Sequence, residues 1–239
     1  MGTPELPLGR RAYFKIPHLP GSRTGKSDRH APISLARRLL LRGEPGDTVL
    51  VQEKLDGSCV AVARLEGSVI ALGREGRRAS ESRNPGRQLF ARWVEAHAEP
   101  LRALLEDGEW LVGEWLALAH GTRYALTHQP FVPFDLFDPS ARAAALDGLE
   151  ARLARNGLLR SPCLLHRGGA IDTREVLQRI QAGSGHGADS VEGAVWRLEH
   201  GGQVLARAKY VRLDKVDGHL LPENSGQAAV WNWTEEEKP

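Results

Sequence analysis

Residues 48–65 read TVLVQEKLDGSCVAVARL: two apolar, strand-like runs, Thr48 to Val51 and Ser58 to Leu65, with Glu53-Lys54-Leu55-Asp56-Gly57 between them. Only six of the 32 basic residues are lysines, so arginine is the default cation of this chain and a lysine between two strands invites a chemical reading. A guanidinium stays protonated at any working pH. An ammonium of pKa ~10.4 can be lowered by desolvation or neighbouring cations until its free amine attacks an electrophile. Lys54 is therefore a candidate nucleophile, and the structural alternative is a solvated turn in which Asp56-Gly57 only reverses the chain.

Downstream, Cys59 to Leu65 and Ser68 to Leu72 flank Glu66-Gly67, a two-residue hairpin signal. If Leu65 pairs with Ser68, Cys59 pairs with Arg74, which returns this arginine to the Lys54–Gly57 loop. Such a cation would hold phosphate oxygens and help to depress the lysine's pKa. Arg74 also opens a run of six arginines (74, 77, 78, 83, 87, 92) against two glutamates (75, 81), either a solvated face or a phosphate-contacting surface.

A second hairpin has the same form. Ser190 to Glu199 and Gln203 to Leu213 flank His200-Gly201-Gly202. With Gly201-Gly202 as the turn, Ala194 faces Lys209 and Trp196 faces Arg207, placing Glu192, Arg207 and Lys209 on one face. A three-residue turn would shift the register by one.

Between the hairpins, helical spacing marks 32–42 and 88–105, with a break expected at Pro100, and an Ala- and Arg-rich helix is expected from Ser140 to about Arg155, ending at Asn156-Gly157. Asp172-x-x-Glu175 is a capping box opening a helix to Gln181. Glu109 to Ala119 and Phe131 to Phe137 read as buried strands; Glu114 within the first must be paired, and Pro133 in the second marks an edge or a bulge. Residues 16–29 read as an irregular arm. Gly21 to Lys26 is no phosphate-binding loop, since three residues separate its glycines where four are needed. Residues 183–189 read as a flexible loop, and the tail from Pro222, polar apart from Trp231 and Trp233, as partly disordered.

The whole chain of 239 residues, 41% hydrophobic and 26% charged, has the composition of a soluble globular protein, and no apolar run approaches the ~18 residues of a membrane span. The N-terminus lacks an apolar signal core, so a cytoplasmic protein with no membrane partner is expected. Cys59 and Cys163 are too few and too far apart for a disulfide framework or a zinc site and read as core thiols. A net charge of +2 does not by itself announce nucleic-acid binding.

Taken together, about residues 15–215 resemble the ATP-dependent RNA ligases, within the covalent nucleotidyltransferases that also include DNA ligases and capping enzymes. Glu53 to Gly57 is similar to motif I (E-K-x-D-G), and Arg74 to the arginine of motif Ia. Gly113-Glu114 with His120 and Tyr124 resembles the acidic motif, and Phe131 to Asp138 motif IIIa. Glu192-Gly193-Ala194-Val195 is similar to motif IV, and Ala208 to Arg212 to motif V. The resemblance implies an α+β nucleotidyltransferase (ATP-grasp-like ligase adenylation) domain of antiparallel sheets flanked by helices over 46–215. An N-terminal arm and helix (1–45) would precede it, and a tail (216–239) without an oligonucleotide-binding barrel would follow. It implies ATP as AMP donor, Mg2+ or Mn2+ as the metal, and RNA with 5′-phosphate and 3′-OH ends as partner; it is silent on oligomeric state.

The roles it implies are Lys54 as nucleophile, Arg74 and Lys209 on the phosphates, Glu114 on the ribose and Glu192 on the metal. Phe134 would stack on adenine, with Phe131 second, and Asp56 would accept from Lys54 or orient its loop. Glu53, Gly57 and Arg207 complete the binding set. One departure stands out: many ligases have K-x-K in motif V where this chain has Arg207-Ala208-Lys209. Either Arg207 replaces the first lysine, or Lys209 is the first and the second is missing. Competing readings are a DNA ligase or capping-type guanylyltransferase domain, and a nucleotide- or RNA-binding module without transfer activity.

Overall fold

The two runs around Lys54 form strands, but in different sheets. In the computed structural model, which describes residues 6–180, 186 and 189–234, β1 (Asp47–Lys54) belongs to one four-stranded sheet and β2 (Ser58–Leu65) to another. The first sheet has the order β6 (Leu164–Gly168), β1, β7 (Gly193–His200), β8 (Gln203–Val211). The second runs β3 (Ser68–Gly73), β2, β4 (Trp110–Trp115), β5 (Phe131–Phe137), and every strand pair in both sheets is antiparallel. Leu55 to Gly57 is thus the crossing point between the sheets. Gly57 is needed there because a Cβ at this position would lie 2.4 Å from the Trp115 carbonyl oxygen of β4.

Alternation along the strands sorts the faces of the first sheet. Val49, Val51, Trp196, Leu198, Ala208 and Tyr210 pack with α1 (Ile33–Leu40) and α5 (Thr173–Ile180) into one core. Gln52, Lys54, Val195, Arg197, Arg207 and Lys209 line a cavity on the other face. The second sheet lays Val60, Val62, Leu111 and Phe131 against α2 (Pro85–Ala96), α3 (Ala98–Leu104) and α4 (Leu146–Asn156), with Phe90 and Trp93 of α2 fully buried at the centre. A short helix, α6 (Pro222–Ser225), lies near the C-terminus. Among the described residues no helix is long and apolar enough to cross a membrane.

The first hairpin has the expected register, with Leu65 opposite Ser68 and both Glu66 and Gly67 at positive φ, as a two-residue primed turn requires. The second departs from it. His200 does pair with Gln203, but a bulge then sets Val204 opposite Glu199 and Ala206 opposite Leu198, leaving Leu205 over. Lys209 therefore faces Val195 and Arg207 faces Arg197, not Ala194 and Trp196. The two cations keep a common face, but Glu192 is not on it by strand alternation. Its side chain comes to the site from just ahead of β7.

Other boundaries differ for local reasons. The break in the 88–105 helix falls at His97, whose imidazole takes the Trp93 carbonyl at 2.8 Å, while Pro100 sits in the first turn of α3, where a missing N–H costs nothing. α4 begins at Leu146, because Asp138 first caps a turn through the amides of Ser140 and Arg142; Gly157, at φ 71°, ends it as expected. Only half of the capping box at α5 forms: Asp172 accepts from the Glu175 amide, but the Glu175 carboxylate pairs with Arg179. That helix is described to Ile180, so Gln181 lies outside the described residues, as does most of 183–189. Residues 16–29 are irregular, as expected, and are tied to β8: His18 bridges to Lys209 and the Leu19 amide donates to the Lys209 carbonyl.

The tail is the clearest reversal. Trp233 is buried, 5.9 Å from Trp115, and Asn232 ties the Leu116 carbonyl to the Tyr124 amide. Trp233, Asn232 and a backbone bridge from Trp231 to Leu118 dock a polar segment that composition alone reads as loose, while the Trp231 ring stays exposed; residues 235–239 lie outside the described residues.

Candidate active site

Lys54 ends β1 opposite Gly193, the residue after Glu192. That pairing brings Lys54 Nζ to 2.5 Å from Glu192 Oε2, with the Leu55 carbonyl at 3.3 Å. Burial pulls the pKa of the amine down, but Glu192, Glu114 and Asp56 outweigh it and hold the group above the ordinary lysine value. The expected depression by desolvation and Arg74 is thus reversed in the resting site, where the amine is a paired ammonium. The cation whose pKa does fall is Lys209, through burial and then the nearby Lys54 charge.

Asp56 orients the crossing loop and does not bond to Lys54. Its Oδ2 accepts from the Gly121 amide at 2.9 Å and the Thr122 hydroxyl at 3.1 Å, and its own amide donates to Tyr124 Oη at 2.8 Å. Asn232 holds Tyr124 in turn, so the docked tail supports the loop that carries the lysine. Ser58 and His120 meet at 3.3 Å beside it.

Glu114 accepts from the Gly57 amide at 3.1 Å. Burial, then the charges of Glu192 and Asp56, push its pKa up to about 7 against the pull of Lys54. An acid whose folded pKa lies above its unfolded value binds a proton in the fold that it loses on unfolding. Its contribution is therefore present at low pH and lost as pH rises from about 4.5 to about 7. Glu114→Gln should stabilise the ligand-free protein by on the order of 2 kcal/mol at pH 8 and leave it unchanged near pH 4.5. Urea denaturation at the two pH values checks this, and equal midpoints at pH 8 contradict it.

The cavity, of about 270 Å3, lies near the lower end of ligand sites, which run from ~300 Å3 upward. Lys54, Arg74, Glu114, Phe134, Arg207 and Lys209 all line it, so the structure gathers most of the residues picked from sequence. Phe134 is there because β5 bulges: Val112 faces Asp135 and Gly113 faces Pro133, leaving Phe134 unopposed and turned into the cavity, edge-on to Tyr13 at 5.3 Å. Phe131, the second candidate for stacking, is fully buried among Phe90, Trp93 and Trp115 and cannot serve. The Glu53 carboxylate is also directed elsewhere, to the Cys163 amide at 3.0 Å and to His186. Arg207 lines the cavity while one of its terminal nitrogens is held by Asp135, a carboxylate it shares with Arg197.

Sequence reasoning missed the group beneath Phe134. Asp135, on β5, receives Arg197 of β7 at 2.5 Å, Arg207 of β8, and the Tyr13 hydroxyl at 2.8 Å, which joins the two sheets and the N-terminal arm. Tyr13, Phe14, Lys15 and Ile16 of the arm wall the cavity. An arginine inside the apolar run 194–198 and an aspartate inside 131–137 were the available signals.

Gly193 is fixed by contact: a Cβ there would fall 1.9 Å from the Tyr210 carbonyl oxygen. Gly193→Ala must part β7 from β8 beside Lys54 and should destabilise by about 3 kcal/mol, near the top of the range for overpacking. A urea midpoint equal to the parent's would refute this.

A family model described as RNA ligase matches residues 47–211, more than half of the chain. The chain belongs to the RNA ligase family. Its fold is similar to the Naegleria gruberi RNA ligase with PPi (TM-score 0.55, 21% identity, covering 82% of this chain and 58% of that one). It is likewise similar to a point mutant of that ligase with AMP and Mn (TM-score 0.51, 19% identity, 82% and 59%). This ligase-family chain thus spans under two thirds of the length of those proteins. No curated protein matches it in sequence.

Proposed function

We propose that this chain is an ATP-dependent RNA ligase that forms a lysyl-AMP at Lys54, passes AMP to an RNA 5′-phosphate and seals that end to a 3′-OH. The observation that carries the reading is the Lys54 amine in contact with Glu192 at the wall of a cavity that also presents Arg74, Lys209 and Phe134. In the first step the Nζ lone pair attacks the α-phosphorus, the bond to the bridging oxygen breaks, pyrophosphate leaves and Nζ loses its proton. Before this attack the ammonium paired with Glu192 gives up a first proton to expose that lone pair, so two protons leave Nζ in all. Arg74 and Lys209 then face the phosphate oxygens as charge builds, and Phe134 offers a ring face to the base.

The residues fit a divalent cation. Glu114 carries a pKa raised in part by the neighbouring carboxylates of Glu192 and Asp56, and an oxygen-seeking ion relieves that crowding. Glu192, with Glu114 beside it, would hold the ion, whose charge offsets that of the triphosphate. A relative was solved with AMP and Mn, which supports a divalent ion as partner and not any particular ligand residue.

A binding module without transfer activity had its best support in Arg207. Its contact with Asp135 gives the arginine a structural reason to be there, which weakens that support. The deciding experiment supplies α-labelled ATP or GTP with Mg2+, then RNA or DNA carrying 5′-phosphate and 3′-OH ends. ATP label that survives denaturation and passes to RNA before joined product appears is the expected result. No label with either nucleotide favours the binding module, label from GTP alone a capping-type enzyme, and joining of DNA alone a DNA ligase.

A further inference from the structure

The Glu53 carboxylate, drawn out of the nucleotide cavity, lies instead in a compact group of different chemistry. Glu53, Cys163 and His186 each present one donor atom, a carboxylate oxygen, Sγ and an imidazole nitrogen, and all three atoms lie within 4.8 Å of one another. Glu53 and His186 are buried, and Glu53 Oε1 stands 3.0 Å from His186 Nε2.

A fourth residue fixes which way His186 faces. His128 Nδ1 lies 2.7 Å from the Gln129 carbonyl, which can only accept, so Nδ1 carries the proton. Its other nitrogen, Nε2, lies 2.6 Å from His186 Nδ1. That contact turns the other ring nitrogen of His186, Nε2, toward Glu53 and Cys163. A ligating histidine is commonly held this way, its second nitrogen donating to a fixed acceptor.

We propose that Glu53, Cys163 and His186 bind one zinc ion, with His128 as the residue that orients His186. Thiolate, imidazole and carboxylate together suit zinc and not magnesium, which prefers all-oxygen sites. Zinc bonds of ~2.0–2.3 Å at tetrahedral angles set ligand atoms roughly 3.3–3.5 Å apart, so the 3.0 Å Glu53–His186 contact opens slightly and gaps of up to 4.8 Å close by roughly 1.3 Å at most. Binding forms one bond from each side chain, sends the Cys163 thiol proton to solvent and leaves a fourth position for water. The ion would tie the end of β1, one residue before Lys54, to the segment leading into β6 and to His186. It is distinct from the divalent cation of nucleotide transfer, and its binding does not depend on any transfer activity.

The test uses the full chain, stripped with a chelator and titrated with Co2+, whose thiolate charge-transfer band and tetrahedral visible bands report the ligands directly. One Co2+ per chain with both features, displaced by Zn2+ but not by Mg2+ in excess, is the expected result. Cys163→Ser should abolish the charge-transfer band, Cys59→Ser should keep it, and His128→Ala should weaken binding by about 10- to 100-fold. Absence of the band in the unmodified protein, or its survival in Cys163→Ser, overturns the proposal; neither reading requires that every variant fold.

Discussion

If Lys54 is the nucleophile proposed above, Lys54→Ala should abolish the denaturation-resistant adenylate and lower ligation by on the order of 10³-fold or more, the scale on which loss of a covalent nucleophile is felt. Lys54→Arg fails equally, because a guanidinium can keep the contact with Glu192 but has no amine to give. That pair of results separates chemistry from folding: the arginine variant should unfold at nearly the parental urea concentration while carrying no label. The resting ammonium adds a second signature. Since Glu192, Glu114 and Asp56 hold the lysine pKa above its ordinary value, label formation at saturating ATP should accelerate as pH rises from neutral, in step with the small amine fraction. A labelled Lys54→Ala protein, or a rate indifferent to pH, would remove the lysine from the centre of the reaction.

What could be read in the sequence was whatever chain-local rules govern. Glu66-Gly67 and Gly201-Gly202 specify two-residue turns, and both form. The first fixes the return of the chain to Arg74, at the cavity wall. What could not be read depends on distant partners. The residue left over at Leu205 has no turn signal, since a bulge is decided by what β8 must face across β7. The same holds for the bulge that aims Phe134, although Pro133 marked its place. Lys54 illustrates the limit in electrostatics: the spacing of a cation can be inferred from a hairpin, but the balance against three carboxylates, two of them from distant segments, cannot. Glu53, Cys163 and His186 lie too far apart in sequence for any spacing rule to join them. Trp231 and Trp233 were visible in the tail, but which of them docks was not: Trp233 is buried while the Trp231 ring stays exposed.

Asp135→Ala should cost about 3–5 kcal/mol, the largest stability loss from any single change near the site. Asp135 is 1% exposed and Arg197 3%, so removing the carboxylate leaves one guanidinium fully inside the protein with only the more distant Glu199, at 3.7 Å, and takes the acid from a second, Arg207, that is largely inside. Most of the loss is the penalty of those under-compensated charges, because a buried ion pair gains little over a well-packed apolar substitute. It follows that Asp135→Leu combined with Arg197→Met and Arg207→Leu should recover most of the lost stability. Nucleotide binding should not recover with it. Arg197 also donates to the Phe134 carbonyl at 2.6 Å, which holds the bulge that turns the ring into the cavity, and Tyr13, edge-on to that ring, is anchored on Asp135. The triple variant should therefore unfold near the parental urea concentration yet raise the KM for ATP by roughly tenfold, the effect of losing about 1.4 kcal/mol of binding. An Asp135→Ala protein within ~0.5 kcal/mol of the parent would mean that water reaches the two arginines and that the sheets are joined by apolar contact alone.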